Sequence, residues 1–91
     1  MLKLGNKIIR IVSINSEAQT VRLRFSDGVS GVVSLKPIFE LPTALSGEVL
    51  KGNMFGLCFI ESGALAWPNG FELCPDLLRR MLDEKRHKAA A

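Results

Sequence analysis

The side chains best suited to recognition chemistry lie close together in one short stretch of the sequence. Trp67, Asn69 and Glu72 occur within the segment Trp-Pro-Asn-Gly-Phe-Glu. The indole would supply an aromatic anchor, the amide a directional polar contact and the carboxylate a charge. We take these three residues as the candidate partner-binding site. The simpler interpretation is a tryptophan that covers the core beside an Asn-Gly turn.

A second candidate site consists of three arginines. Arg22 and Arg24 alternate with apolar residues along one predicted strand, and Arg10 lies on the strand before it. Together they would form a basic stripe on the outer face of a sheet, which could attract nucleic acid or an acidic protein. No aromatic residue alternates with them, as single-strand stacking would require. Solvated charges that protect a sheet edge explain the three arginines equally well.

Catalytic and metal-binding patterns are weak in this sequence. His87 is the single histidine and lies in a charged C-terminal segment, where nothing would orient it as a base. Asp27 and Glu72 could be considered as a carboxylate pair, but each has an ordinary local role at a turn or a strand end. The spacings match neither a zinc site nor a phosphate-binding glycine loop. We therefore predict a protein that is not an enzyme and that uses no cofactor or metal.

The composition is that of a small globular domain with a mild positive charge. The 91 residues carry a formal net charge of +3. We predict one domain over residues 1–88, followed by a vector-derived alanine tail at 89–91. Cys58 and Cys74 are too few for a disulfide framework and are predicted to be small buried hydrophobes in a reduced, cytoplasmic protein. No apolar run approaches the ~20 residues of a membrane span.

The N-terminal half predicts three strands. Residues 7–14 are rich in β-branched residues, and residues 20–25 alternate apolar with polar side chains. A three-residue turn over 26–28 would pair Phe25 with Val29 and Val21 with Val33, with Gly28 in the left-handed conformation. Unless something covers it, the apolar first strand would expose an edge to which a second copy could pair.

The C-terminal half predicts a second hairpin and a helix. The same three-residue turn would pair Leu57 with Trp67 and Phe59 with Leu65. Cys58 and Ala66 would lie on the reverse face, where the C-terminal helix would pack closely. The region of Pro37 and Pro42 is predicted to form short helical turns. Pro75 would begin an amphipathic helix whose apolar stripe is formed by Leu77, Leu78, Met81 and Leu82. The predicted class is α+β, with one small antiparallel sheet built from two hairpins and an N-terminal strand, and with the C-terminal helix packed on it.

The order of these elements resembles the small bacterial family catalogued as domain of unknown function 2442. The matching features are the Phe-Ser-Asp-Gly turn at 25–28, Phe55, the Trp-Pro-Asn-Gly corner at 67–70, the acidic Glu72 and the helix led by Pro75. They cover nearly the whole chain up to about residue 82. The sequence departs from the pattern at Ser34-Leu35, where many members have Asp-Leu, and at Glu72, where aspartate is commoner.

The resemblance implies no established activity, cofactor or catalytic residue. Some members of the family carry an added helix-turn-helix domain, and many are encoded beside another small protein, an arrangement similar to toxin–antitoxin pairs. We therefore expect a cytoplasmic protein-interaction module of a two-component bacterial pair, with another small protein as partner and no membrane association. The alternative is a nucleic-acid-associated regulator that uses Arg10, Arg22 and Arg24.

Overall fold

The order of strands and helices follows the sequence pattern closely. A computed structural model of the chain describes residues 7–40, 43–51 and 53–90, with side chains described as far as residue 84. Within these residues the strands are β1 (Ile8–Asn15), β2 (Thr20–Phe25), β3 (Ser30–Ser34), β4 (Phe59–Glu61), β5 (Ala64–Ala66) and β6 (Glu72–Leu73). The helices are α1 (Lys36–Phe39), α2 (Ala44–Val49) and α3 (Pro75–Ala90), with a 3₁₀ turn at Met54–Leu57.

The β2–β3 hairpin confirms the predicted register. Val21 is the partner of Val33, and the amide of Phe25 donates to the carbonyl of Val29 at 2.8 Å. Gly28 has a φ of +91°, as the three-residue turn requires. The alternation in β2 therefore buries Val21 and Phe25 on the inner face of the sheet and sends the polar residues to the outer face.

β1 completes the first sheet, in the order β1-β2-β3, and its far edge is covered in part. Register shifts next to Ile9 and Val12 leave these two side chains 55% and 48% exposed. β4 lies beside β1, and the amide of Ile8 donates to the carbonyl of Gly63 at 2.9 Å. The edge of the first strand is therefore covered at its N-terminal end.

The second hairpin corrects the prediction, both in its register and in its sheet. Phe59 pairs with Ala66 and Ile60 with Leu65, one residue away from the predicted register. The turn has two residues, Ser62 and Gly63, with φ values of +52° and +85°. Two successive positive φ values match the right-handed twist of a two-residue hairpin, which explains why the shorter turn is adopted. β4, β5 and β6 form a sheet of their own, where one common sheet was predicted.

Two consequences of this register concern the predicted apolar face. Leu57 was expected opposite Trp67 in the hairpin, but it lies in the 3₁₀ turn and is 58% exposed. Phe59 is 40% exposed, while Cys58 and Ala66, expected on the reverse face, are buried. The buried residues of this hairpin therefore come from both predicted faces, since Leu65 and Trp67 are buried as well.

α3 packs on the inner face of the first sheet, which confirms the α+β class with a C-terminal helix on the sheet. Leu78 and Leu82 are buried, Met81 is partly buried and Leu77 is more exposed than the predicted stripe implies. The approach is close: a Cβ on Gly31 of β3 would lie 2.7 Å from Cδ1 of Leu82. Glycine at this position lets the helix lie directly against the strand.

The middle of the chain contains the short helices that were predicted. Pro37 lies in the first turn of α1, where its missing N–H costs no hydrogen bond. Thr43 caps α2 in a capping box, because its side chain accepts from the amide of Ser46 and the Ser46 hydroxyl accepts from the amide of Thr43. Pro42 lies outside the described residues.

Candidate functional site

Trp67 lies in the core and not at the surface. It is 1% exposed, and its Nε1–H donates to the carbonyl of Phe55 at 3.0 Å. Its ring centroid lies 5.5 Å from that of Phe71, 6.1 Å from that of Phe55 and 6.3 Å from that of Phe39. A side chain enclosed in this way has a structural role and no free surface with which to anchor a partner.

Asn69 is also engaged inside the protein. Its Nδ2 group donates to the carbonyl of Leu45 at 2.9 Å and to Oε1 of Glu48 at 3.0 Å, and its Oδ1 accepts from the amide of Phe71 at 3.1 Å. These bonds fasten the corner after β5 to α2. Of the three predicted partner-binding residues, Glu72 alone has an exposed side chain, on β6 opposite Ala66.

The structure brings the three predicted arginines together. Arg10 of β1 and Arg24 of β2 are direct cross-strand partners, and Arg22 lies two residues from Arg24 on the same side of β2. All three are exposed. With Val12 and Ser30 they line a shallow depression of about 400 Å³ on the outer face of the first sheet. We call this surface, defined by Arg10, Arg22 and Arg24, the arginine face.

The positive charge of the arginine face has no acidic neighbour in its own strands. The sequences of β1, β2 and β3 contain no aspartate or glutamate. Both ion pairs formed among the described residues involve Arg79 and none of the three arginines. Arg10 and Arg24 lie directly opposite each other and repel. An anionic partner would relieve this repulsion, so the arginine face favours binding of an anion.

A link between α3 and the β2–β3 turn could not be read from the sequence. Nη1 of Arg79 lies 2.9 Å from Oδ2 of Asp27, and its Nε donates to Oδ1 of Asp83 at 3.0 Å. The guanidinium also lies over the ring of Phe25, 5.4 Å from its centroid. The spacing of Arg79 and Asp83 fits a pair along a helix, but no local signal connects Arg79 with a residue 52 positions away.

Asp27 gives this link a dependence on pH. Burial by itself would raise the pKa of Asp27, but the Val29 amide and Arg79 outweigh it and hold the pKa below its ordinary value of 3.8. A carboxyl whose pKa is lowered by folding stabilises the folded state above its unfolded pKa, and this contribution is lost as pH falls through the folded pKa.

We therefore expect the free energy of unfolding to fall less steeply in Asp27→Asn than in the wild type as the pH is lowered below about 4. Urea unfolding of both proteins at a series of pH values measures the two slopes. Asp83→Asn is the matched control, because Asp83 contacts the same Arg79 from within the helix. If the free energy of unfolding falls with pH equally steeply in the wild type and in Asp27→Asn, the contact between Arg79 and Asp27 contributes no pH-dependent stability.

The structure also places the two cysteines and one member of the carboxylate pair. Burial raises the pKa of the Cys58 thiol to about 11, which makes it a poor nucleophile at neutral pH. Cys74 is exposed, contrary to the prediction that both cysteines are buried. Asp27, one member of the carboxylate pair considered above, is occupied by Arg79. Residues 7–40, 43–51 and 53–84 contain no group of three metal-ligating side chains.

Comparison with protein-family models, with curated proteins and with solved structures finds no match for this chain. The resemblance to the domain of unknown function 2442 therefore stays a prediction. No helix within the described residues has the length and hydropathy needed to cross a lipid bilayer.

Proposed function

We propose that this chain is a non-enzymatic protein-interaction module whose binding surface is the arginine face. The observation that carries the proposal is the convergence of Arg10, Arg22 and Arg24 on one exposed sheet face that has no acidic residue in its strands. Such a face fits a partner that presents carboxylates, which arginine binds through two parallel N–H···O bonds. The partner in this proposal is another small protein, acidic where it docks, within a two-component bacterial pair.

A protein partner fits this surface better than a nucleic acid does. Val12 is half exposed among the arginines, and Ile9 is exposed on the same strand. Arginine is enriched in protein interfaces, and the centre of such an interface is more apolar than the rest of the surface. Nucleic acid is the second candidate and is favoured by the unpaired positive charge alone. The aromatic residue of these strands, Phe25, is buried on the inner face, where bases could not stack on it.

Charge reversal on the arginine face tests the proposal. We expect the double variant Arg22→Glu, Arg24→Glu to lose at least about tenfold in affinity for the partner, because attraction becomes repulsion at both positions. The matched control is Lys36→Glu, Lys51→Glu, which changes the net charge by the same amount at exposed positions outside the first sheet. Immobilised wild type and both variants are incubated with host lysate with and without nuclease, and thermal melting verifies that each variant is folded.

The two candidate functions give different results in this experiment. An acidic protein that survives nuclease, is lost by the arginine variant and is kept by the control supports the interaction module. The nucleic-acid function would replace the interaction module if the captured material disappeared with nuclease. Labelled oligonucleotides should then bind the wild type with an affinity that falls steeply as salt is added. Equal retention by wild type and the arginine variant would remove the arginine face from both.

A further inference from the structure

β3 forms the open edge of the first sheet. The amide of Phe25 donates to the carbonyl of Val29, and hydrogen-bonded pairs recur at every second residue of an antiparallel ladder. The odd-numbered residues of β3 therefore direct their backbone N–H and C=O groups toward β2. The backbone groups of Ser30, Val32 and Ser34 therefore point away from β2. No hydrogen bond reaches them from another element in the described part of the chain. This edge presents a row of donors and acceptors for an added strand.

An apolar groove lies beside this edge, on the inner side of the sheet. It has a volume of about 1210 Å³ and runs between α3 and the segment formed by the end of β3 and α1. Its surface is mainly apolar and is formed by Val33, Pro37, Ile38, Leu77 and Met81. The other lining residues are Ser34 and the charged residues Asp76, Arg79, Arg80, Asp83 and Glu84 of α3. Val33 belongs to the buried face of β3, so the groove opens on the side of the sheet opposite the arginines.

Resting on the proposed function, we propose that the acidic partner binds by adding an extended segment to the edge of β3 as a fourth strand. Side chains along such a strand alternate between the two faces of the sheet. On the outer face, two successive side chains of the added strand would lie in line with two cross-strand pairs, Val32–Arg22 and Ser30–Arg24. On the inner face they would point toward the groove. The segment therefore alternates acidic with aliphatic residues.

The distances permit the acidic contacts. The added strand lies two strand spacings from β2, about 9–10 Å, which an arginine and a glutamate extended toward each other can span. Val32 and Ser30 lie between them and are short enough to leave that path open. Backbone bonds to the β3 edge would supply the affinity, and the alternating side chains would supply the specificity.

Charge complementarity favours an acidic partner over a second copy of this chain at the edge of β3. If β3 paired with β3 of another copy, the outer face would receive Ser30, Val32 and Ser34, which carry no carboxylate. Such a dimer would also bring two arginine faces onto one continuous sheet. Like charges on the same surface oppose that association, whereas an acidic segment neutralises them.

The test removes one edge donor without changing the rest of β3. Val32→Pro deletes an N–H that points away from β2, a position where edge strands accept proline. Val32→Ala loses a comparable side chain but keeps the N–H. The probe is a fluorescein-labelled peptide that alternates glutamate with valine between polar ends, and its control has the same composition with glutamates and valines in separate blocks. Fluorescence anisotropy gives the affinities, and thermal melting verifies folding.

We expect the alternating peptide to bind at least about tenfold more tightly than the blocked peptide, and Val32→Pro to weaken it by about tenfold while Val32→Ala changes it by less than about threefold. In amide hydrogen exchange of the wild type, bound peptide should slow exchange at Ser30, Val32 and Ser34 and leave Gly31 and Val33 unchanged. This second measurement decides the matter if Val32→Pro does not fold.

Equal binding of the two peptides, unchanged affinity in Val32→Pro, or no protection of the edge amides would overturn the strand-addition proposal. The proposed function would stand in those cases if Arg22→Glu, Arg24→Glu still lost the partner from lysate. A peptide-induced dimer, detected by light scattering, would identify pairing between two copies and would likewise overturn it.

Discussion

Trp67→Ala is expected to lower the free energy of unfolding by about 3–5 kcal/mol. The indole is 1% exposed and contacts Phe39, Phe55 and Phe71, so its removal leaves a cavity that three aromatic rings surround. The carbonyl of Phe55 would also lose the Nε1–H that it accepts at 3.0 Å. Urea unfolding monitored by circular dichroism measures the change, since the variant loses the only tryptophan.

Two further variants separate the packing contribution from the recognition role first considered for this residue. Trp67→Phe keeps a ring but not the donor, and we expect a smaller loss of about 1–3 kcal/mol. Glu72→Ala, in the exposed residue of the same predicted site, should change stability by less than about 0.5 kcal/mol. If Trp67→Ala were as stable as the wild type, the tryptophan would not be part of the core and its role as a partner anchor would return.

The first sheet could be predicted because two independent patterns agree in it. β2 alternates strictly, which fixes the face of each side chain, and the glycine at position 28 fixes the turn. The same alternation that buries Val21 and Leu23 exposes Arg22 and Arg24, so the arginine face follows from the strand itself. A surface that depends on local periodicity can be found from the sequence.

The second hairpin could not be predicted in the same way. Leu65, Ala66 and Trp67 are all buried, so the strand has no alternation from which to choose a register. The turn places Ser62 at positive φ, a conformation more typical of asparagine or glycine, so residue type at this position does not indicate a two-residue loop. A shift of one residue then changed the cross-strand partner of every side chain in the hairpin.

The structural roles of Trp67 and Asn69 depend on tertiary contacts. The side chain of Asn69 is bound by Leu45 and Glu48 of α2, in a region where the sequence predicts helical turns but not their position against the corner. Residue type alone does not distinguish an exposed amide from one that fastens two elements together. Tertiary contacts over more than 20 residues decide that question, as they also do for Arg79 and Asp27.

Gly63→Ala is expected to cost about 2–4 kcal/mol of unfolding free energy, more than the same change at Gly28. Both glycines have positive φ, +85° and +91°, so both substitutions force an L-residue into the left-handed region at a cost of about 1–2 kcal/mol. They differ in their surroundings. A Cβ on Gly63 would lie 2.8 Å from both Cβ and Cγ of Lys7, whereas nothing lies within 4 Å of a Cβ on Gly28.

The additional loss at Gly63 measures how the two sheets are joined. The carbonyl of Gly63 accepts from the amide of Ile8, so a turn that moves away from Lys7 also lengthens the hydrogen bond between β1 and the β4–β5 turn. Chemical denaturation of the two alanine variants, side by side with the wild type, gives the difference directly. Equal losses of unfolding free energy in the two variants would mean that Lys7 moves away from the new Cβ without an energetic cost. The contact between the sheets would then depend on the buried side chains rather than on this turn.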